Sequence, residues 1–129
     1  MLSVSVQKRD PRMIGVYIAG PMTGLPEFNR PAFYSAAAKL NSIEGVYAIN
    51  PAVLPDCMPD GKYLPICMAM IEAADVVYML ENYEVSLGAR TERLYAKRQG
   101  KLVLDEKYYG SRARITAALS RWEANNADD

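Results

Sequence analysis

The stretch Val76-Val77-Tyr78-Met79-Leu80-Glu81-Asn82-Tyr83-Glu84-Val85-Ser86-Leu87-Gly88-Ala89-Arg90-Thr91-Glu92 decides the fold. It opens on an uninterrupted apolar run, crosses a polar loop from Glu81 to Val85, and enters a helical segment that ends near Gly100. A short run that is apolar throughout, rather than alternating, fits a strand buried on both faces. The free backbone N–H groups of the following helix start point outward, and the helix dipole adds to them, so Ser86 to Gly88 forms a ready anion site. One turn further on, Glu92 is unusual. Its neighbours at helical spacing are Gly88, Ala89, Tyr95 and Ala96, none of them a cation. A solvated helix glutamate commonly has a lysine or arginine three or four places away. Arg90, Arg93 and Lys97 fall together on a different face, so the spacing turns the Glu92 carboxylate toward the protein, close to the anion-binding turn.

Working outward, the same grammar repeats. Met13 to Ala19 is a short apolar run closed by Gly20-Pro21, a second buried strand. Asn29 is positioned to cap a helix with Pro31 in its first turn, and Phe33, Ala36, Ala37 and Leu40 form one apolar helix face. Gly45 breaks that helix, and Val46 to Ile49 is another strand. Asn50 to Lys62, with Pro51, Pro55 and Pro59 and two aspartates, reads as a long irregular loop. Tyr63 to Ala74 returns to helix with Pro65 confined to its first turn, Lys101 to Leu104 is a fourth strand, and Ser111 caps a last helix whose Ile115, Ala118, Leu119 and Trp122 share a face. Alternation of apolar strands with helices predicts a Rossmann-like, flavodoxin-like α/β/α domain of three layers around a parallel sheet of four to five strands. We divide the chain into a leader at 1–12, a domain at 13–124 and a polar tail at 125–129.

In such sheets the ligand lies beyond the carboxyl ends of the strands, where strand order reverses. Those ends carry Gly20-Pro21-Met22-Thr23, Asn50-Pro51 and the loop from Glu81 to Gly88. Composition narrows the chemistry. Among 129 residues, 15 basic side chains balance 15 acidic ones, which gives no electrostatic case for a nucleic-acid polymer or an acidic membrane surface. Two cysteines, Cys57 and Cys67, and no histidine leave no zinc pattern, so neither a metal nor a cofactor is expected. Acid–base work falls to carboxylates, tyrosines, cysteines or lysines. No apolar run approaches the roughly 20 residues of a membrane span, and the chain reads as soluble and cytoplasmic.

Tyr17-Ile18-Ala19-Gly20-Pro21-Met22-Thr23-Gly24, followed by Ala74-Asp75-Val76-Val77 and by Ser86 to Glu92, resembles the nucleoside 2-deoxyribosyltransferase superfamily. The likeness spans about residues 13 to 105. It points to a small uncharacterised branch common in phages and prophages, and to the nucleoside 5'-monophosphate N-glycosidases of the same superfamily. The resemblance implies cleavage of the bond between a nucleobase and its sugar by a homodimer or larger homo-oligomer that binds a small nucleoside or nucleotide. It implies that Glu92 attacks the anomeric carbon, that Tyr17 orients that carboxylate, and that Ser86 with the backbone N–H of Gly88 binds a 5'-phosphate. It places Gly20, Pro21, Met22, Thr23, Asn50 and Ala89 around the substrate. Relatives acting on free nucleosides tend to carry an aspartate in the Ser86 region, which would repel phosphate, so the serine favours a nucleotide.

Two positions depart from that pattern. The superfamily commonly carries an aspartate eight places ahead of the Asp75 position to assist the departing base, and this chain has Cys67. A thiol with an ordinary pKa of about 8.5 replaces a carboxylic acid poorly. Asp56 and Asp60 in the proline-rich loop, or water, are the alternative proton sources. The hydrolases also carry an arginine near the Thr23 position, for which Arg90 is an imperfect substitute.

Each assignment has a structural counterpart. Glu92 reads otherwise as a helix-surface acid, Tyr17 as a core aromatic, Ser86 as a helix cap, and Cys67 with Met68 and Met70 as core packing. Asp75 reads as structural, and Gly20 and Gly24 as serving backbone conformation and close ligand approach. The rival class is a non-catalytic nucleotide-binding or sensing protein of the same fold. A purely structural prophage remnant is the third.

Overall fold

The computed structural model describes residues 13–126; the leader at 1–12 and the end of the tail at 127–129 lie outside the described residues. The elements run β1 (Ile14–Ala19), α1 (Arg30–Asn41), β2 (Val46–Ile49), α2 (Asp60–Ala73), β3 (Val76–Met79), α3 (Leu87–Arg98), β4 (Leu102–Asp105) and α4 (Arg112–Asn125). The strands form one sheet in the order β2-β1-β3-β4, and every pairing is parallel. This is a Rossmann-like α/β fold.

Alternation along β1 explains the layers, because successive strand side chains point to opposite faces. Ile14, Val16 and Ile18 pack with Phe33 and Leu40 of α1 and with Ile115 and Leu119 of α4. Tyr17 and Ala19 pack on the other face with Cys67 and Ile71 of α2 and with Ala89 and Ala96 of α3. Burying each large apolar side chain of these clusters contributes about 1.5–3 kcal/mol, which is what holds the helices to the sheet. Asp75 stitches the opposite end of the sheet: its Oδ2 accepts from the Gly15 amide at 2.9 Å. No helix among the described residues is long and apolar enough to cross a membrane.

Strand order places the reversal. The chain leaves β1 for β2 on one side and returns to β3 on the other, so the carboxyl ends of β1 and β3 flank the switch point.

Three local expectations change. Asn29 does not cap α1 with its side chain; it is left-handed (φ 60°), follows left-handed Glu27 and Phe28, and donates from Nδ2 to the Pro21 carbonyl at 2.9 Å. The helix expected from Tyr63 begins at Asp60, which moves Pro65 out of the first turn and into the helix interior. Proline there forfeits a backbone hydrogen bond, a cost met by the burial of Cys67 and Ile71 farther along the same helix. Short 3-10 turns at Pro51–Val53 and Tyr83–Val85 break what read as an irregular loop and a polar loop.

Candidate active site

The fold brings Tyr17 and Glu92 together. Tyr17 sits in the second half of β1 with its ring fully buried, and its hydroxyl donates to Glu92 Oε1 at 3.1 Å. Glu92 is in the second turn of α3, on the stripe that carries buried Ala89 and Ala96, so its partly buried carboxylate enters the cleft between α3 and β1. Small residues on that stripe let the helix lie close to the sheet. Cys67 comes from α2, which covers the same face, and is buried in the side-chain cluster that contains Tyr17.

Burial sets the electrostatics. Desolvation pushes Glu92 up to about 7, and the hydrogen bond from Tyr17 acts against that rise. Burial, followed by the charge of Glu92, holds the Tyr17 hydroxyl well above the usual phenol range. Burial likewise pushes the Cys67 thiol up, with a further push from the Glu92 charge. Near neutral pH the cleft therefore holds a neutral phenol, a neutral thiol and one carboxylate poised between its charged and neutral forms. Such a group suits nucleophilic or acid–base work at neutral pH.

The start of α3 lies about 9 Å along the helix axis from Glu92, from six residues at 1.5 Å each. Ser86 caps it, with Oγ accepting from the Ala89 amide at 3.1 Å. The hydroxyl proton remains available to a ligand. Ala89 has its amide engaged in this cap and its side chain in the core, so the first-turn amides left to face outward are those of Leu87 and Gly88. Leu87 was not among the expected residues; its place just after the cap is the signal that identifies it. A Cβ at Gly88 would meet Ser86 Oγ at 3.8 Å and no closer neighbour, so the turn is open on that side.

The other expected residues are more scattered. A Cβ on Gly20 would come within 2.8 Å of Leu80, so the bare backbone there serves packing of the loop after β1 against the end of β3. Pro21 is buried, and Met22 packs toward the α1–α4 core, across the sheet from Glu92. Thr23 is exposed, and Gly24 is left-handed (φ 84°) with open space around it. Asn50 caps the 3-10 turn after β2, its Oδ1 accepting from the Ala52 amide at 2.9 Å. Asp56 is exposed and ion-paired with Arg30 at 3.5 Å, and the side chain of Asp60 lies outside the described residues. Arg93 is held by Asp105 at 3.2 Å, whereas Arg90 is exposed. A hollow of about 510 Å³ opens at the switch point, lined by Pro21, Leu25, Asn29, Asn82, Val85 and Glu106. Glu92 does not line it, but Val85 adjoins the Ser86 cap.

Sheet order, buried phenol and inward carboxylate define a parallel α/β domain with an acidic residue at the carboxyl side of its sheet and an anion-receptive helix start beside it. The chain belongs to the family described as Domain of unknown function (DUF4406), which matches residues 14–105. That span runs from β1 through β4 and includes Tyr17, Cys67, Ser86 and Glu92. A comparison with curated proteins gives no match.

Proposed function

We propose that this protein is an N-glycosidase or deoxyribosyltransferase-like enzyme of the nucleoside 2-deoxyribosyltransferase-like group, acting on a (deoxy)nucleoside 5'-monophosphate. The observation that carries the reading is the 3.1 Å hydrogen bond from the buried Tyr17 hydroxyl to Glu92 Oε1. An oriented carboxylate on the carboxyl side of the sheet is what the retaining scheme requires. A Glu92 oxygen forms an ester bond to the anomeric carbon as the N-glycosidic bond breaks, and the bonding pair leaves with the base nitrogen, which takes a proton from solvent. Water then attacks the same carbon, loses a proton, and frees Glu92 as a carboxylate; a second base in place of water gives transfer.

Around that centre the start of α3 receives the 5'-phosphate, through the Ser86 hydroxyl and the amides of Leu87 and Gly88. The span from there to Glu92 suits a sugar with its phosphate arm. Val85 and Leu87, 76% and 71% exposed, fit a homodimer or larger assembly that covers this rim.

The test is incubation with a panel of nucleosides and their monophosphates, followed by chromatography for free base. Wild type releases base and Glu92→Ala does not; equal release by both rules out the nucleophile. Cys67 favours a second reading, nucleotide binding without turnover, because the expected acid position holds a thiol. In that case calorimetry detects a nucleotide that stays intact through prolonged incubation.

A further inference from the structure

We propose that Arg93 is a positioning residue for Glu92: by forking onto Asp105 it fixes the rotation of α3 about its own axis and so holds the neighbouring carboxylate against the Tyr17 hydroxyl. The inference rests on the glycosidase reading for its catalytic consequence, but not for the positioning itself. The Arg93 guanidinium donates from Nε to Asp105 Oδ1 at 3.3 Å and from Nη2 to Asp105 Oδ2 at 3.2 Å. Both side chains are largely shielded, at 26% and 19% exposure, and the guanidinium also lies over the Tyr83 ring, 5.2 Å from its centroid. A planar fork held at both tips and on one face has a defined orientation, which a lysine pair lacks. Asp105 is in register with Met79, and Met79 with Ala19, which packs on the same sheet face as Tyr17. Helix α3 is thus tied to β1 through Glu92 and to β4 through Arg93, with β3 between them.

Apolar contact alone does not fix that rotation. Ala89 and Ala96 are the buried residues of α3, and their methyl groups give it a close but smooth seat on the sheet. Interlocking ridges need larger side chains. A helix with its side chains is about 10–12 Å across, so a carboxylate at its surface travels about 1 Å for every ~10° of roll. That travel breaks a 3.1 Å hydrogen bond. Misplacement on this scale costs about 100-fold in rate where a nucleophile must meet a fixed carbon. Neighbouring residues project about 100° apart around a helix, so the ties at Glu92 and Arg93 restrain roll from two sides. The titratable side chains packed around Glu92 are Tyr17 of β1 and Cys67 of α2, and its helical neighbours on α3 carry no charge. The charge of Arg93 is matched by Asp105, so Arg93 acts on Glu92 through geometry.

The test uses the full chain and reads the coupling between Tyr17 and Glu92 without any substrate. The Glu92 midpoint comes from the pH dependence of the stability difference between each protein and its Glu92→Gln counterpart. The coupling is the displacement of that midpoint by Tyr17→Phe. In the Arg93→Gln and Asp105→Asn backgrounds that displacement should shrink severalfold, although the two substitutions change the local charge in opposite senses. Undiminished coupling in either background overturns the proposal: a clamp that contributes stability alone lowers the melting temperature and leaves the coupling intact, and so does a direct charge effect on the midpoint. If Arg93→Gln fails to fold, Arg93→Lys decides. Lysine keeps the charge but not the fork, so the coupling should fall while most of the stability stays, and coupling equal to wild type overturns the proposal. Where base release is measurable, Arg93→Gln should lower kcat about 10- to 100-fold with KM retained, and Arg93→Lys should recover part of it. Absence of base release from wild type defeats the glycosidase reading alone, because the coupling readout still decides the role of Arg93.

Discussion

The Tyr17 hydroxyl on β1 donates to Glu92 Oε1 on α3 at 3.1 Å, joining two residues 75 positions apart in the chain. That bond favours the charged carboxylate over its protonated form, against the desolvation that raises Glu92. Tyr17→Phe should therefore move Glu92 further up and misorient it. Hydrogen bonds to charged groups contribute about 1.5–3 kcal/mol. Base release at pH 7 should fall about 10- to 100-fold, with the deficit shrinking as pH rises and the carboxylate recovers its charge. A pH–rate series on both proteins checks this.

Glu92 should also govern how stability depends on pH. Its folded-state pKa of about 7 lies above the ordinary 4.5, so folding favours the protonated form. Its stabilising contribution is complete below about pH 4.5 and is lost as pH rises through 7. Glu92→Gln, which mimics the neutral acid, should match wild type near pH 4.5 and exceed it by about 2–3 kcal/mol at pH 8. Thermal denaturation at the two pH values reads the difference, and the same variant should release no base.

Capping and anion binding at Ser86 can be pulled apart. Ser86→Ala removes the acceptor for the Ala89 amide and should cost about 1 kcal/mol of stability. Ser86→Asp restores a capping oxygen and favours the positive end of the helix dipole, so stability should return. The added charge should nevertheless repel a 5'-phosphate. Thermal shifts with a nucleoside monophosphate should vanish in Ser86→Asp, while those with the free nucleoside persist.

Gly88 offers the converse test. Alanine there meets no backbone or buried side chain, its nearest neighbour being Ser86 Oγ at 3.8 Å. It should stabilise α3 by about 0.5–1 kcal/mol through the ordinary helical preference over glycine. The new methyl sits beside the outward amides, so monophosphate affinity should fall while melting temperature without ligand rises. Calorimetry and thermal denaturation together distinguish this from a general loss of fold.

The amino-acid sequence by itself determined the layered architecture, because strand and helix periodicity report which face each segment must bury. The apolar runs at Ile14–Ala19 and Val76–Leu80, and the stripe Phe33, Ala36, Ala37, Leu40, all lie in the core. It also marked Glu92, whose uncharged helical neighbours set it apart from a solvated acid. Local patterns say little about partners across the fold. That Asn29 binds the Pro21 carbonyl rather than capping α1, and that Pro65 lies inside α2, depend on loop geometry that no period encodes. Only the tertiary structure decided that Tyr17 meets Glu92 and packs with Cys67. The order β2-β1-β3-β4 puts α2 and α3 on the same face of β1, so the Tyr17 ring packs with Cys67 of α2 while its hydroxyl reaches Glu92 of α3.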